Sequence, residues 1–167
     1  IFLYSCLVSR FLSLLFLVLG CLAAAPSQAE ALIASRAVLE DPAGRLTIDE
    51  VAGRDFQAAG AALAKGYTRS AHWLRLQLRA PAAGGPVMLL VRPSFLDELQ
   101  LFEPDPGPAG GWRMRRSGDR YPFGARDLAT VSPSFQVQVP PQGLTVYLRL
   151  QTSSSSLLSV SALPPLE

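Results

Sequence analysis

Twice in this chain an aromatic residue opens the same five-residue phrase: Trp73-Leu74-Arg75-Leu76-Gln77 and, 74 residues later, Tyr147-Leu148-Arg149-Leu150-Gln151. Side chains on a β-strand alternate between faces. Each phrase therefore turns its leucines to one side and its ring, guanidinium and amide to the other. Phe135-Gln136-Val137-Gln138-Val139 alternates in the same way, with Phe135, Val137 and Val139 inward. Val87-Met88-Leu89-Leu90-Val91 is apolar throughout and suits a central strand covered on both faces. Leu99 and Leu101 are expected to face the core from a strand after Pro93, and Trp112 to Arg116 to pair back through a Pro/Gly-rich hairpin turn.

Turn signals separate these runs at Asp41-Pro42-Ala43-Gly44, Gly84-Gly85-Pro86, Pro104 to Gly111, Ser117-Gly118-Asp119 and Pro140-Pro141-Gln142-Gly143. Many short strands at such spacing predict an all-β chain built as an antiparallel sandwich or barrel. Helix has two openings, each good for a turn or two. Thr47 stands three before Glu50, a capping-box spacing, and Ala58 to Lys65 is Ala-rich but holds Gly60.

The first 29 residues read differently. After Arg10 comes an apolar run, Phe11 to Leu22, then small residues up to Ala29. A basic flank, a short apolar core and a small-residue cleavage site predict a secretory signal peptide. Twelve residues rise only about 18 Å as a helix, short of the roughly 30 Å of bilayer hydrocarbon. A retained signal anchor is one alternative, and lipidation at Cys21 in Val18-Leu19-Gly20-Cys21 is another. Both cysteines, Cys6 and Cys21, lie in this leader, so a domain cleaved near Ala29 has neither disulfides nor thiolate metal sites.

The chain has 167 residues and a net charge of +2, with 15 Lys+Arg against 13 Asp+Glu. That balance gives no concentrated basic face, and a nucleic-acid partner is not expected. The single histidine, His72, falls on the leucine side and reads as a core or strand-edge residue. Without a second His or a free Cys, no zinc site can be assembled. A Ser-His-acid triad would need His72, and no G-x-S-x-G elbow is present. Asp97, Glu98, Glu103 and Asp119 are available as carboxylates, but nothing pairs them for glycoside hydrolysis. No cofactor and no enzymatic activity are expected. The cluster Arg113-Met114-Arg115-Arg116-Ser117-Gly118-Asp119-Arg120 reads as a charge-protected edge strand, with attraction of an anion or lipid headgroups as the alternative. Ser153 to Ser156 reads as a flexible or strand-capping loop.

Four segments, in order, carry a resemblance. They are Gly66-Tyr67-Thr68-Arg69-Ser70-Ala71-His72-Trp73-Leu74-Arg75, Pro93-Ser94-Phe95-Leu96-Asp97, Gly118-Asp119-Arg120-Tyr121-Pro122-Phe123 with Arg126 just after, and Tyr147 to Ser155. Together they resemble the second type of extracellular domain of bacterial seven-transmembrane receptors with diverse intracellular signalling modules. The resemblance spans residues 37 to 162. It implies a jelly-roll-like antiparallel β-sandwich similar to carbohydrate-binding modules, placed in the periplasm. Seven transmembrane helices and a cytoplasmic output such as a diguanylate cyclase or histidine kinase would follow. The sequence stops at Glu167 without them. The expectation is a receptor fragment, with a stand-alone sensor as alternative.

The expected organisation is a signal peptide at 1–29, a linker at 30–36, a sensor sandwich at 37–162 and the start of a further linker at 163–167. The expected function is periplasmic ligand sensing. Trp73, Arg75, Tyr147, Arg149 and Gln151 would line the sheet face turned from the core, with Asp97 and Asp119 supplying acceptors. Rings stack on sugar faces, while Arg and Gln donate to hydroxyls or carboxylates. A sugar or carboxylate is the expected small molecule, and the membrane bundle of the parent receptor the expected macromolecular partner. Alternatively, Trp73 and Tyr147 pack under a loop, Arg75 and Arg149 form ion pairs with acids such as Asp97 or Asp119, and the domain serves protein interaction or structure.

Overall fold

The computed structural model describes residues 32–164 except 82, 123, 125–127 and 129. The expected signal peptide, the lipidation site at Cys21, and Phe123 and Arg126 of the third segment lie outside the described residues. In chain order the elements are β1 (Ile33–Asp41), α1 (Ile48–Ala52), β2 (Gln57–Ala58), β3 (Ala62–Tyr67), β4 (Ala71–Leu78) and β5 (Gly85–Arg92). They continue with β6 (Glu98–Pro104), β7 (Trp112–Ser117), β8 (Ser134–Val139), β9 (Leu144–Gln151) and β10 (Ser155–Leu163).

These strands form two antiparallel sheets, one ordered β2-β1-β4-β9-β6-β7 and the other β3-β10-β5-β8. From β3 to β6, and again from β7 to β10, each successive strand changes sheet, which gives the sandwich its jelly-roll-like winding. The two leucine phrases are direct neighbours: β4 pairs with β9 so that Leu74 faces Leu148 and Trp73 faces Arg149. Their inner faces meet the second sheet through Leu74, Leu76, Leu78, Leu148 and Leu150, together with Val87, Leu89, Val91, Leu99, Leu101, Phe135, Val137 and Val139, all buried. Burying each such side chain stabilises the fold by about 1.5–3 kcal/mol before conformational entropy is charged against it. β5, apolar from Val87 to Val91, lies inside its sheet between β10 and β8, as its sequence predicts.

Helix α1 forms where the capping-box spacing predicts it. Thr47 accepts from the Glu50 amide, and the Glu50 carboxylate accepts from the Thr47 amide at 2.8 Å. Ala58 to Lys65, however, is not helical. It contains the last residue of β2 and most of β3, because Leu63 pairs opposite Leu158 on β10 and joins the core, a tertiary gain that outweighs alanine's helical preference.

The strand connections define two poles. Ile33 is opposite Leu78 and Leu78 opposite Leu144, so the chain enters β1 beside the β4–β5 and β8–β9 turns. Leu163 is opposite Met88, so β10 leaves at that same pole. The turns 68–70, 93–97 and 152–154 lie at the other.

Candidate functional site

On the outer face of the larger sheet, the predicted set shares one side, as the alternation requires, but that side is largely covered. The connection between β1 and β2 folds back over it. Val51 of α1 is fully buried with Trp73, Phe102 and Tyr147, and Leu39, Leu46, Ile48, Ala52, Phe56 and Trp112 pack around them. Trp73 is 1% exposed and Tyr147 6%. Trp73 lies 5.3 Å from Phe102, and Trp112 meets Tyr147 edge-on at 5.3 Å, centroid to centroid. This is a second apolar layer.

The two arginines of this face do not pair with Asp97 or Asp119 in the way the alternative expectation had it. Arg75 places its guanidinium 4.7 Å from the Phe56 ring centroid. Arg149, 8% exposed, lies over Trp73 at 5.8 Å and donates from Nη2 to the Gly44 carbonyl at 3.0 Å and to Gln151 Oε1 at 2.9 Å. The Gly44 turn is set by Asp41, whose carboxylate accepts from the amides of Gly44 and Leu46, both at 2.9 Å. Arg149 thus ties the covering segment to the end of β9.

Asp97 and Asp119 lie at the pole away from the chain's entry and exit. Asp97 Oδ2 accepts from the Ser153 amide at 2.6 Å and the Ser153 hydroxyl at 2.7 Å. These bonds, the amide first, hold its carboxyl below the usual carboxylate range, with Arg120 adding a smaller push in the same direction. The Asp119 amide donates to the Leu96 carbonyl at 2.9 Å and the Arg120 amide to the Asp97 carbonyl at 3.1 Å. Gly118 makes this approach possible. At φ +123°, a Cβ there would stand 2.5 Å from the Asp97 carbonyl oxygen.

These contacts bring together ends of the second, third and fourth resembling segments, and residues 67–69 of the first stand beside them. Between them opens a cleft of about 660 Å³, lined by Tyr67, Thr68, Arg69, Arg120, Gln151, Thr152 and Ser153. That volume suits a small molecule. Of the predicted residues, Gln151 lines the cleft directly, Asp97 stands behind Ser153, and Arg149 stands behind Gln151. Trp73, Arg75 and Tyr147 belong to the covered layer. Tyr67, Arg69 and Arg120 were not singled out by alternation, because they sit in or beside turns. Their signal lay in the resembling segments, which contain all three.

The predicted basic cluster divides. Arg113 and Arg115 on the edge strand β7 approach Glu103 at 2.7 and 3.1 Å, which neutralises this buried carboxylate. Arg120 beyond the strand reaches Glu98 at 3.5 Å. His72, as expected, is buried on the leucine side of β4. Among the described residues, no group of three His, Cys, Asp or Glu is placed to hold a metal ion.

A two-sheet antiparallel sandwich is the architecture that the resembling segments imply. Residues 34–163 match the family described as 7TMR-DISM extracellular 2, and the chain belongs to that family of extracellular receptor domains. Membership makes it a sensor-type domain on the outer side of a membrane. No helix among the described residues is long and apolar enough to cross one. No curated protein matches the chain.

Proposed function

We propose that this chain is the periplasmic ligand-sensing part of a membrane signalling receptor and binds a small polar molecule, a sugar or a carboxylate, in the polar cleft. The observation that carries this reading is that three of the four resembling segments line one concave site and the second, through Asp97, holds its Ser153 wall, far from the pole where the polypeptide enters and leaves. Gln151 contacts the ligand, Arg149 and Asp97 hold the cleft's walls in place, and Trp73, Arg75 and Tyr147 stiffen the sheet beneath. The membrane bundle follows β10, so the cleft faces away from the bilayer. Ligand affects signalling by favouring one arrangement of domain and bundle over another. The Ser153 turn walls the cleft and leads straight into β10, which runs to the pole where the chain leaves.

Titrating the purified protein with a panel of sugars and organic acids tests this reading by calorimetry or amide chemical shifts. The expected result is a saturable response centred on residues 67–70, 120 and 151–153, weakened by Gln151→Ala. Silence across the panel overturns it.

A second reading is favoured by exposed apolar residues at the same pole. Tyr67 is 84% exposed, Phe95 53% and Val131 82%. An aromatic rim beside arginines suits protein contact, so this pole would then dock a partner protein, and Tyr67→Ala would abolish association with no small-molecule response to lose.

A further inference from the structure

Among the described residues, both charged side chains that line the cleft are cations, and this selects among the ligands just proposed. The Gln151 oxygen already accepts from Arg149 Nη2. A guanidinium can only donate, so the amide orientation is fixed and the Gln151 NH2, beside Gly44, is left as the donor this cleft-lining side chain can give. The Ser153 hydroxyl proton is committed to Asp97, and the Thr68 hydroxyl donates to Ser70 at 3.0 Å. The nearby carboxylates are engaged. Asp97 holds Ser153, while Glu98 accepts from Gln100 at 2.7 Å and faces Arg120. Among the described residues the lining holds two guanidiniums, Arg69 and Arg120, and no carboxylate. Arg69 makes no ion pair among the described residues, and Arg120 has only the 3.5 Å approach to Glu98.

A neutral sugar presents hydroxyls that both donate and accept, and its donors need strong acceptors. Among the described residues the lining supplies no carboxylate to serve as one. The charged oxygens of an oxyanion only accept, so it can satisfy Arg69, Arg120 and the Gln151 amide together and relieve the repulsion between the two like charges. Resting on the sensing function above, we propose that the cleft recognises an oxyanion, a carboxylate or phosphate group on a small molecule. Arg69 and Arg120 take its charge, Gln151 takes one oxygen, and the exposed Tyr67 ring covers the body that carries the group.

Galacturonate and galactose share a ring and differ in the charge, so they separate the two chemistries. Succinate and inorganic phosphate separate carboxylate from phosphate as the source of the anion. The expected result is that galacturonate, succinate or phosphate binds at least about tenfold tighter than galactose. Affinity should fall as salt rises. Arg69→Gln and Arg120→Gln should each cost about tenfold in anion affinity, and both positions are exposed, so circular dichroism should show intact folds. Galactose binding as tightly as galacturonate, or anion binding indifferent to both substitutions, overturns the oxyanion assignment and leaves the sensing function standing. Silence of all four probes overturns the assignment, and silence of the wider panel overturns the sensing function with it.

Discussion

The carboxylate of Asp97 holds the backbone and side chain of Ser153, 56 residues further along the chain, through one oxygen at 2.6 and 2.7 Å. The same residue's carbonyl receives the Arg120 amide, so three loops of the binding pole meet at one aspartate. Asp97→Ala leaves the Ser153 amide to water and should cost about 1 kcal/mol, since the site is open to solvent. The bonds depress the folded carboxyl below its ordinary 3.8. A depressed acid stabilises fully above the unfolded value, and that stabilisation is lost as pH falls through the lower folded one. Urea unfolding should therefore separate wild type from Asp97→Ala at pH 7, and the gap should close below about pH 3.8. A gap that persists at low pH would refute the latch.

Gly118 sits under that latch, and its Cβ would meet the carbonyl oxygens of Asp97 and Leu96 at 2.5 and 2.8 Å. Both obstacles are backbone, and φ is positive, so neither neighbour nor residue can relax cheaply. Gly118→Ala should cost roughly 3 kcal/mol, read as a lowered urea midpoint. It should also weaken ligand binding, because Asp119 and Arg120 would move with it.

Which side each strand residue faces was legible in the sequence, because strand alternation is local and binary. Leu74, Leu76, Phe135 and Val137 lie where alternation puts them, and the Thr47–Glu50 spacing marked α1. What covers the opposite face was not legible. A capping box says that a helix starts, but only the packing of Val51 against Trp73 and Tyr147 says where it docks. The same holds for Ala58 to Lys65, where composition favoured a helix and pairing with β10 decided for strand. The cleft escaped the alternation argument because its lining comes from turns, where side-chain direction follows loop closure rather than period.

Trp73 and Tyr67 should behave oppositely on truncation. Trp73 is packed among Phe102, Val51 and the Arg149 guanidinium, so Trp73→Ala opens a large cavity and should cost about 3–5 kcal/mol. Tyr67 is exposed beside the cleft, and Tyr67→Ala should change stability by no more than about 0.5 kcal/mol while weakening ligand binding. Thermal unfolding of the two variants, paired with titration of the binding probe, checks both halves. A stable, ligand-blind Trp73→Ala would place the ligand on the covered face instead.

His72 gives the fold an acid-sensitive point. Its ring is buried, and neither nitrogen has a hydrogen-bond partner among the described residues. Burial pushes the imidazole below its ordinary 6.5. Glu40, its register neighbour on β1, pulls the other way, and Lys65 on β3 adds to the lowering. Because the folded value is depressed, the unfolded chain takes up a proton first as pH falls. Stability from the neutral ring is complete above about 6.5 and is lost as pH drops through the folded value. His72→Leu should flatten the fall of the urea midpoint as pH drops below about 6.5. Glu40→Gln, by removing the charge that favours imidazolium, should extend the wild-type loss to lower pH. Equal acid slopes in wild type and His72→Leu would remove His72 as the cause.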